Sequence, residues 1–203
     1  MVFMIKNVVA DTSFFICNAC TLRRIDLLLN YLNLYQFYAG PIILNKEIPN
    51  MGKENETIRK KFAYKESNYA ELFKPLSDRD PKHIEEDGEY EAIGISVDLS
   101  LTNSLHCLIL DDDGPKKFAM FNVAKKFPEL KDKIHGTVGF INNSYANDSL
   151  ISREQCIDHL KAIYSVYLQY QQKGENRRPC SMDHAFVNKS LLPLIKKLET
   201  NHE

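Results

Sequence analysis

The chain has 203 residues, a formal net charge of −1, 44% hydrophobic and 26% charged residues, values ordinary for one globular domain. Near-neutral charge supplies no electrostatic footprint for nucleic acid, so such a partner must be held by a local patch, by metal, or by both. No apolar stretch approaches the ~20 residues of a membrane span, the opening Met1–Lys6 lacks the layout of a signal peptide, and a cytoplasmic protein is expected.

Val8-Val9-Ala10 is an apolar run ending on Asp11-Thr12-Ser13. It predicts a buried first strand with Asp11 at its carboxyl end and Thr12 and Ser13 capping a following helix. Open α/β sheets place ligands at that end of their strands, and a carboxylate there costs stability unless something positive pairs with it. From about Ser13 to Leu34 the chain reads as one or two helices, with Leu22, Ile25, Leu28, Leu29 and Leu32 as a core-facing stripe. Cys17-Asn18-Ala19-Cys20 is formally a C-x-x-C, but Cys107, Cys156 and Cys180 supply no second pair for zinc. Five cysteines at irregular spacing argue against a disulfide framework and fit a reducing compartment. Cys17 and Cys20 then read as small buried residues, with a redox motif left open. The six histidines are scattered without ligand spacing.

Pro41-Ile42-Ile43-Leu44 predicts a second strand, and Asn45-Lys46-Glu47 a helix cap and first turn. Residues 49–86 are polar, with a basic helix expected from about Ile58 to Tyr69 and a short strand near Leu72 to Leu76. The cluster Arg59-Lys60-Lys61 with Lys65 reads as a solvated helix face or, with Phe62, Tyr64 and Tyr69 nearby, as a surface steering a phosphate backbone.

Glu85-Glu86-Asp87-Gly88-Glu89-Tyr90-Glu91 opens the next element. The alternation of Ile93, Ile95, Val97, Leu99 and Leu101 by itself indicates a strand. Ala92, Ser96 and Leu99 also fit a helix, with Gly94 and Ser96 permitting close packing, and the helix is preferred. Glu89 and Glu91 could then be solvated carboxylates favoured by the helix dipole. A strand from Leu105 to Leu110 runs into Asp111-Asp112-Asp113-Gly114-Pro115 and a helix carrying Lys116 and Lys117 as far as Lys126, Pro115 suiting its first turn. Asp112 and Asp113 equally suit a turn. His135-Gly136-Thr137-Val138-Gly139 is a strand end turning into a helix.

Beyond Ile151 a helix presents Ile157, Leu160, Ile163, Tyr164 and Tyr167 on one face. A polar break from Lys173 to Pro179 precedes a last helix ending near Glu199. The expected fold class is α/β, a mostly parallel sheet with helices on both faces. Residues 1–150 form the main domain, and 151–203 a helical extension packed on it.

Asp11, Glu47, Glu89 and Asp111 each fall at a predicted strand end or helix start, so a parallel sheet can bring them to one rim. Carboxylates so gathered repel and take up protons unless a cation holds them. Oxygen-only ligands select a hard ion, Mg²⁺ or Mn²⁺, and the matching chemistry is metal-assisted hydrolysis of a phosphodiester.

Val9-Ala10-Asp11-Thr12-Ser13 resembles the opening of PIN-domain nucleases, and Pro41–Glu47 resembles their second acidic motif. Gly88-Glu89-x-Glu91-Ala92-Ile93 is similar to the G-E-x-E-A-I helix of one branch of predicted nucleic-acid-binding proteins, related to toxin nucleases. Leu108–Asp112 with Lys116 and Ala119 is similar to that branch's aspartate-bearing strand and basic helix, and Gly136-Thr137-Val138-Gly139 to its G-T-x-G turn. These motifs stand in the family's order across residues 7 to 145.

The resemblance implies a PIN-like fold and metal-dependent cleavage of single-stranded or looped RNA, with an antitoxin partner or a homodimer left open. It also implies a helix over 89–100. Asp11, Glu47, Glu89 and Asp111 are the expected metal ligands, with Asp113 or Asp112 as a further one. Thr12, Ser13 and Asp112 would support them, and Lys116, Lys117, Arg59, Lys60 and Lys61 would face the nucleic acid. Lys116 stands where arginine is usual. A PIN scaffold that only binds is the competing class; a nucleotide-binding fold is disfavoured, since G-x-G-x-x-G and G-x-x-x-x-G-K-[ST] are both missing.

Overall fold

A computed structural model describes residues 5–51, 55–77, 84, 87–175 and 179–200. Met1–Met4, Gly52, Pro81, Glu85 and Glu86 lie outside them. The sheet has five parallel strands in the order β3-β2-β1-β4-β5, with β1 Asn7–Ala10, β2 Gln36–Ala39, β3 Ala63–Tyr64, β4 Leu105–Ile109 and β5 Ile134–His135. The chain builds outward from β1 to β3, then returns to the other side of β1 for β4 and β5. The break between β1 and β4 is thus a topological switch point, where the connections diverge and leave a crevice at the carboxyl ends.

Between β1 and β2 run α1 (Thr12–Ile16), widened by a π-type turn at Cys17–Thr21, and α2 (Ile25–Leu34). Phe14 and Phe15 of α1 are fully buried, and Phe14 stacks on Phe37 of β2 at 5.8 Å between ring centres. Before β3 comes α3 (Asn55–Arg59), and after it α4 (Tyr69–Phe73) and α5 (Gly88–Leu101). α6 starts at Asp113–Phe118 and continues through Lys126, and α7 is Thr137–Ala146. No helix is long and apolar enough to cross a membrane among the described residues.

The helix over 89–100 is present within α5 despite its period-two pattern. Nearly every residue of α5 is buried, because it lies against the sheet and under α4. A helix buried all round has no polar face to mark its period. Gly94 is required there, since a side chain would run into Tyr69.

Three local expectations are corrected. The second strand is Gln36–Ala39, whereas 41–47 is helical. Pro41 suits a first helical turn, and the Glu91 carboxylate receives the N–H groups of Ile42 and Ile43, both at 2.9 Å. The basic helix expected to reach Tyr69 stops at Arg59, because Ala63–Tyr64 pairs with β2 as an edge strand. The strand expected near Leu72 is α4, with Phe73 buried against Tyr90 and Phe118.

α8 (Arg153–Gln172) starts with a capping box, in which the Ser152 hydroxyl accepts from Gln155 N–H and the Gln155 side chain receives Ser152 N–H. Its buried His159 lies 2.6 Å from the Asn18 side chain and 3.3 Å from the Tyr31 hydroxyl. Burial holds that imidazole neutral, its pKa pushed down to about 3. α9 spans 184–200 and packs on α8. One hydrophobic core runs from Val8 to Leu198, so the extension shares the core of the main body. The cysteine reading is corrected as well: Cys17 and Cys180 form a disulfide with 5.7 Å between their Cα atoms, and Cys20, Cys107 and Cys156 are thiols outside it.

Candidate metal centre

Asp11 follows β1 directly. Its N–H donates to Ile109 C=O of β4 at 3.1 Å, extending the pairing into the crevice, and its Oδ1 accepts from Phe14 N–H at 3.3 Å as the cap of α1. The side chain is fully buried, and Oδ2 has no hydrogen-bond partner. Glu89 stands on the first turn of α5, and Asp112 directly precedes α6. Asp11, Glu89 and Asp112 each offer an oxygen within 4.8 Å of the others.

The remaining expected ligands lie around this triad in different roles. Glu47 receives the Thr12 hydroxyl on Oε2 and Gly88 N–H on Oε1 at 3.3 Å. Asp111 receives Thr137 N–H at 2.8 Å and its hydroxyl at 2.6 Å, and its charge still acts on Asp11. Asp113 is turned away: its side chain is 87% exposed and pairs with Lys117 at 3.5 Å. Asp112, expected either as a further ligand or as a supporting residue, stands with Asp11 and Glu89. Thr12 and Ser13 do face the site, but they brace Glu47 and Asp112, the Ser13 hydroxyl lying 3.2 Å from Asp112 Oδ2.

Lys116 lies beside Asp111 and offsets part of its burial. The other expected phosphate contacts have local partners. Arg59 donates to Asn45 and Lys61 to Asn33, both at 2.7 Å, and Lys60 approaches Glu56 at 3.9 Å.

Crowding raises the proton affinity of the cluster. Burial foremost, then the charges of Asp111, Glu89 and Asp112, holds Asp11 well above the usual carboxylate range. Burial and a hydrogen bond with Asp112 push Glu89 up to about 8. Asp111 is pushed up to about 6 by burial, with the Thr137 bonds and Lys116 pulling the other way. A divalent cation reverses this logic by making the charged forms favourable. The residues present fit such an ion: the donors are all oxygens, and a buried Asp11 oxygen is left for it.

Three participants were missed in the sequence. Glu91 is buried and caps the helix over 41–47 from outside, so it is a structural carboxylate. Thr137 orients Asp111, a role its place in the G-T-x-G turn could have suggested. Ser181, from the C-terminal extension, donates its hydroxyl to Asp112 Oδ1, and nothing in its sequence neighbourhood signals this. A cleft of about 820 Å³ opens beside the cluster, lined by Asp112, Lys116, Asn142, Ser181 and Phe186 among others. No family model matches the chain, and comparison with curated proteins and with solved structures finds no match either.

Proposed function

We propose that this chain is a divalent-metal-dependent nuclease of the PIN-domain type, hydrolysing phosphodiester bonds of single-stranded or looped RNA. The observation that carries the reading is the orphaned, fully buried Asp11 Oδ2 at the switch point of a parallel sheet, facing the carboxylates of Glu89 and Asp112. Asp11, Glu89 and Asp112 would hold Mg²⁺ or Mn²⁺, with Glu47 and Asp111 adding negative charge around it. A bound ion supplies Lewis acidity toward a phosphoryl oxygen and a more acidic water. Asp111 fixes the start of α7 and, with Lys116, sets the charge balance of the rim. The adjacent cleft supports the reading, since Lys116 can meet a phosphate and the partly exposed Phe186 offers a face for a base.

The test is a cleavage assay on labelled single-stranded RNA with Mn²⁺, Mg²⁺ or chelator. Cutting is expected only with metal, and Asp11→Asn or Glu89→Gln should lower the rate more than ~100-fold, beyond what loss of a supporting contact causes. Metal-independent cutting, or RNA binding without cutting across metals and substrates, overturns the reading; the second result favours a binding module.

A further inference from the structure

Residues Pro179–Met182 approach the acidic cluster from the far end of the chain, and their geometry is unusual. Cys180 and Ser181 are consecutive non-glycine residues with left-handed backbone, φ 50° and 52°, a conformation that side chains disfavour. Such a pair persists only where its surroundings over-determine it. Two anchors do so here. Cys180 is bonded to Cys17, on the helical run that Asp11 caps, and Met182 is buried in the core. Between them, Ser181 reaches Asp112 Oδ1 while Ser13 lies against Oδ2. Both oxygens of Asp112 are thereby held in place by hydroxyl groups.

We infer that Ser181 is a positioning residue for Asp112, and that the Cys17–Cys180 disulfide is the tether that presents it, so that divalent-cation affinity depends on the thiol state of the chain. This rests on the metal-site reading above and adds to it a regulator located in the extension. In the reducing direction a dithiol supplies two electrons and two protons. The Cys17–Cys180 bond breaks to two thiols while the reagent closes to its own disulfide, and the turn carrying Ser181 is freed from one anchor.

The experiment is calorimetric titration of the full chain with Mn²⁺ alone, oxidised and after treatment with dithiothreitol. Reduction is verified by thiols counted in denaturant, which should rise from the three cysteines outside the disulfide to all five. Ser181→Ala is expected to weaken Mn²⁺ binding about tenfold, the usual effect of losing a ligand's supporting hydrogen bond, and Ser181→Thr to restore it. Reduction of the wild type should weaken binding similarly, and Cys180→Ser should bind weakly and no longer respond to reductant. Circular dichroism of each variant separates these losses from unfolding. Unchanged or tighter binding in folded Ser181→Ala, or unchanged or tighter binding after verified reduction, overturns the inference and leaves the metal site standing. No Mn²⁺ binding by the oxidised wild type overturns both.

Discussion

At the scale of single residues, the acidic cluster stores a stability cost that one substitution relieves. Asp11 is buried among other carboxylates, and its folded pKa lies well above the unfolded value. A group raised in this way contributes stability at low pH and loses it as pH rises toward its folded pKa. Asn caps a helix as well as Asp does and carries no charge. Asp11→Asn, melted in chelator at neutral pH, is therefore expected to melt at a higher temperature than wild type, since it removes a buried charge that its neighbours repel. Added Mn²⁺ should stabilise the wild type and leave the variant nearly unmoved. A less stable variant in chelator would show that the buried carboxylate is held by something other than a cation. Asp11 was the residue most legible in the sequence, because a β-branched run ending in an acid and two hydroxyls has few other meanings. The choice among Asp111, Asp112 and Asp113 was not legible. Backbone direction after β4 sends successive side chains different ways, and hydrogen bonds from Thr137 and Ser181, distant in sequence, decide which carboxylate faces Asp11.

At the scale of elements, the start of α5 shows how closely two segments must approach. A methyl group at Gly88 would occupy the space of the Glu47 carboxylate. Helix propensity alone predicts that Gly88→Ala stabilises by up to about 1 kcal/mol. The collision is with the tip of the Glu47 side chain, which must turn aside and give up its bonds to Thr12 and to Gly88 N–H, so urea unfolding is expected to show the gain cancelled by a loss of about 1 kcal/mol. Combining Gly88→Ala with Glu47→Ala should recover the propensity gain, which a double-mutant cycle resolves as coupling between the two positions. Additive effects would show that the contact is not made. The same neighbourhood explains what the sequence hid. Pro41-Ile42-Ile43-Leu44 reads as a strand because a short apolar run has no period of its own. Its helical form depends on a carboxylate 49 residues further on, Glu91, that no local pattern can announce. Conversely β1, β4 and the turn into α7 were legible, since each pairs a hydrophobic run with a capping residue immediately after it.

At the scale of the whole molecule, two ionic centres with opposite pH behaviour stand at opposite rims of the sheet. At the amino ends of the strands Asp148 receives Lys6 at 2.5 Å, Tyr35 at 2.6 Å and His106 at 2.8 Å. Burial alone would raise its pKa, but these three bonds outweigh burial and hold it below the usual range. Its contribution is present above the unfolded pKa and is lost as pH falls through the folded one. The metal-free protein should therefore gain stability as pH falls from about 8, where Glu89 and then Asp111 take up protons, and lose it at lower pH, where the unfolded chain protonates a His159 that the fold keeps neutral and Asp148 is then titrated. Melting temperature against pH in chelator checks this, and Asp148→Asn should lower stability at neutral pH and flatten the part of the acid limb that His159 does not account for. A monotonic profile would contradict the assignment of the two rims. The outermost strands, Ala63–Tyr64 and Ile134–His135, have two residues each, and so short a ladder offers another chain almost no backbone to extend. Lateral growth of the sheet from copy to copy is thus discouraged at both margins, and self-association of this protein, where it occurs, falls to its helical faces.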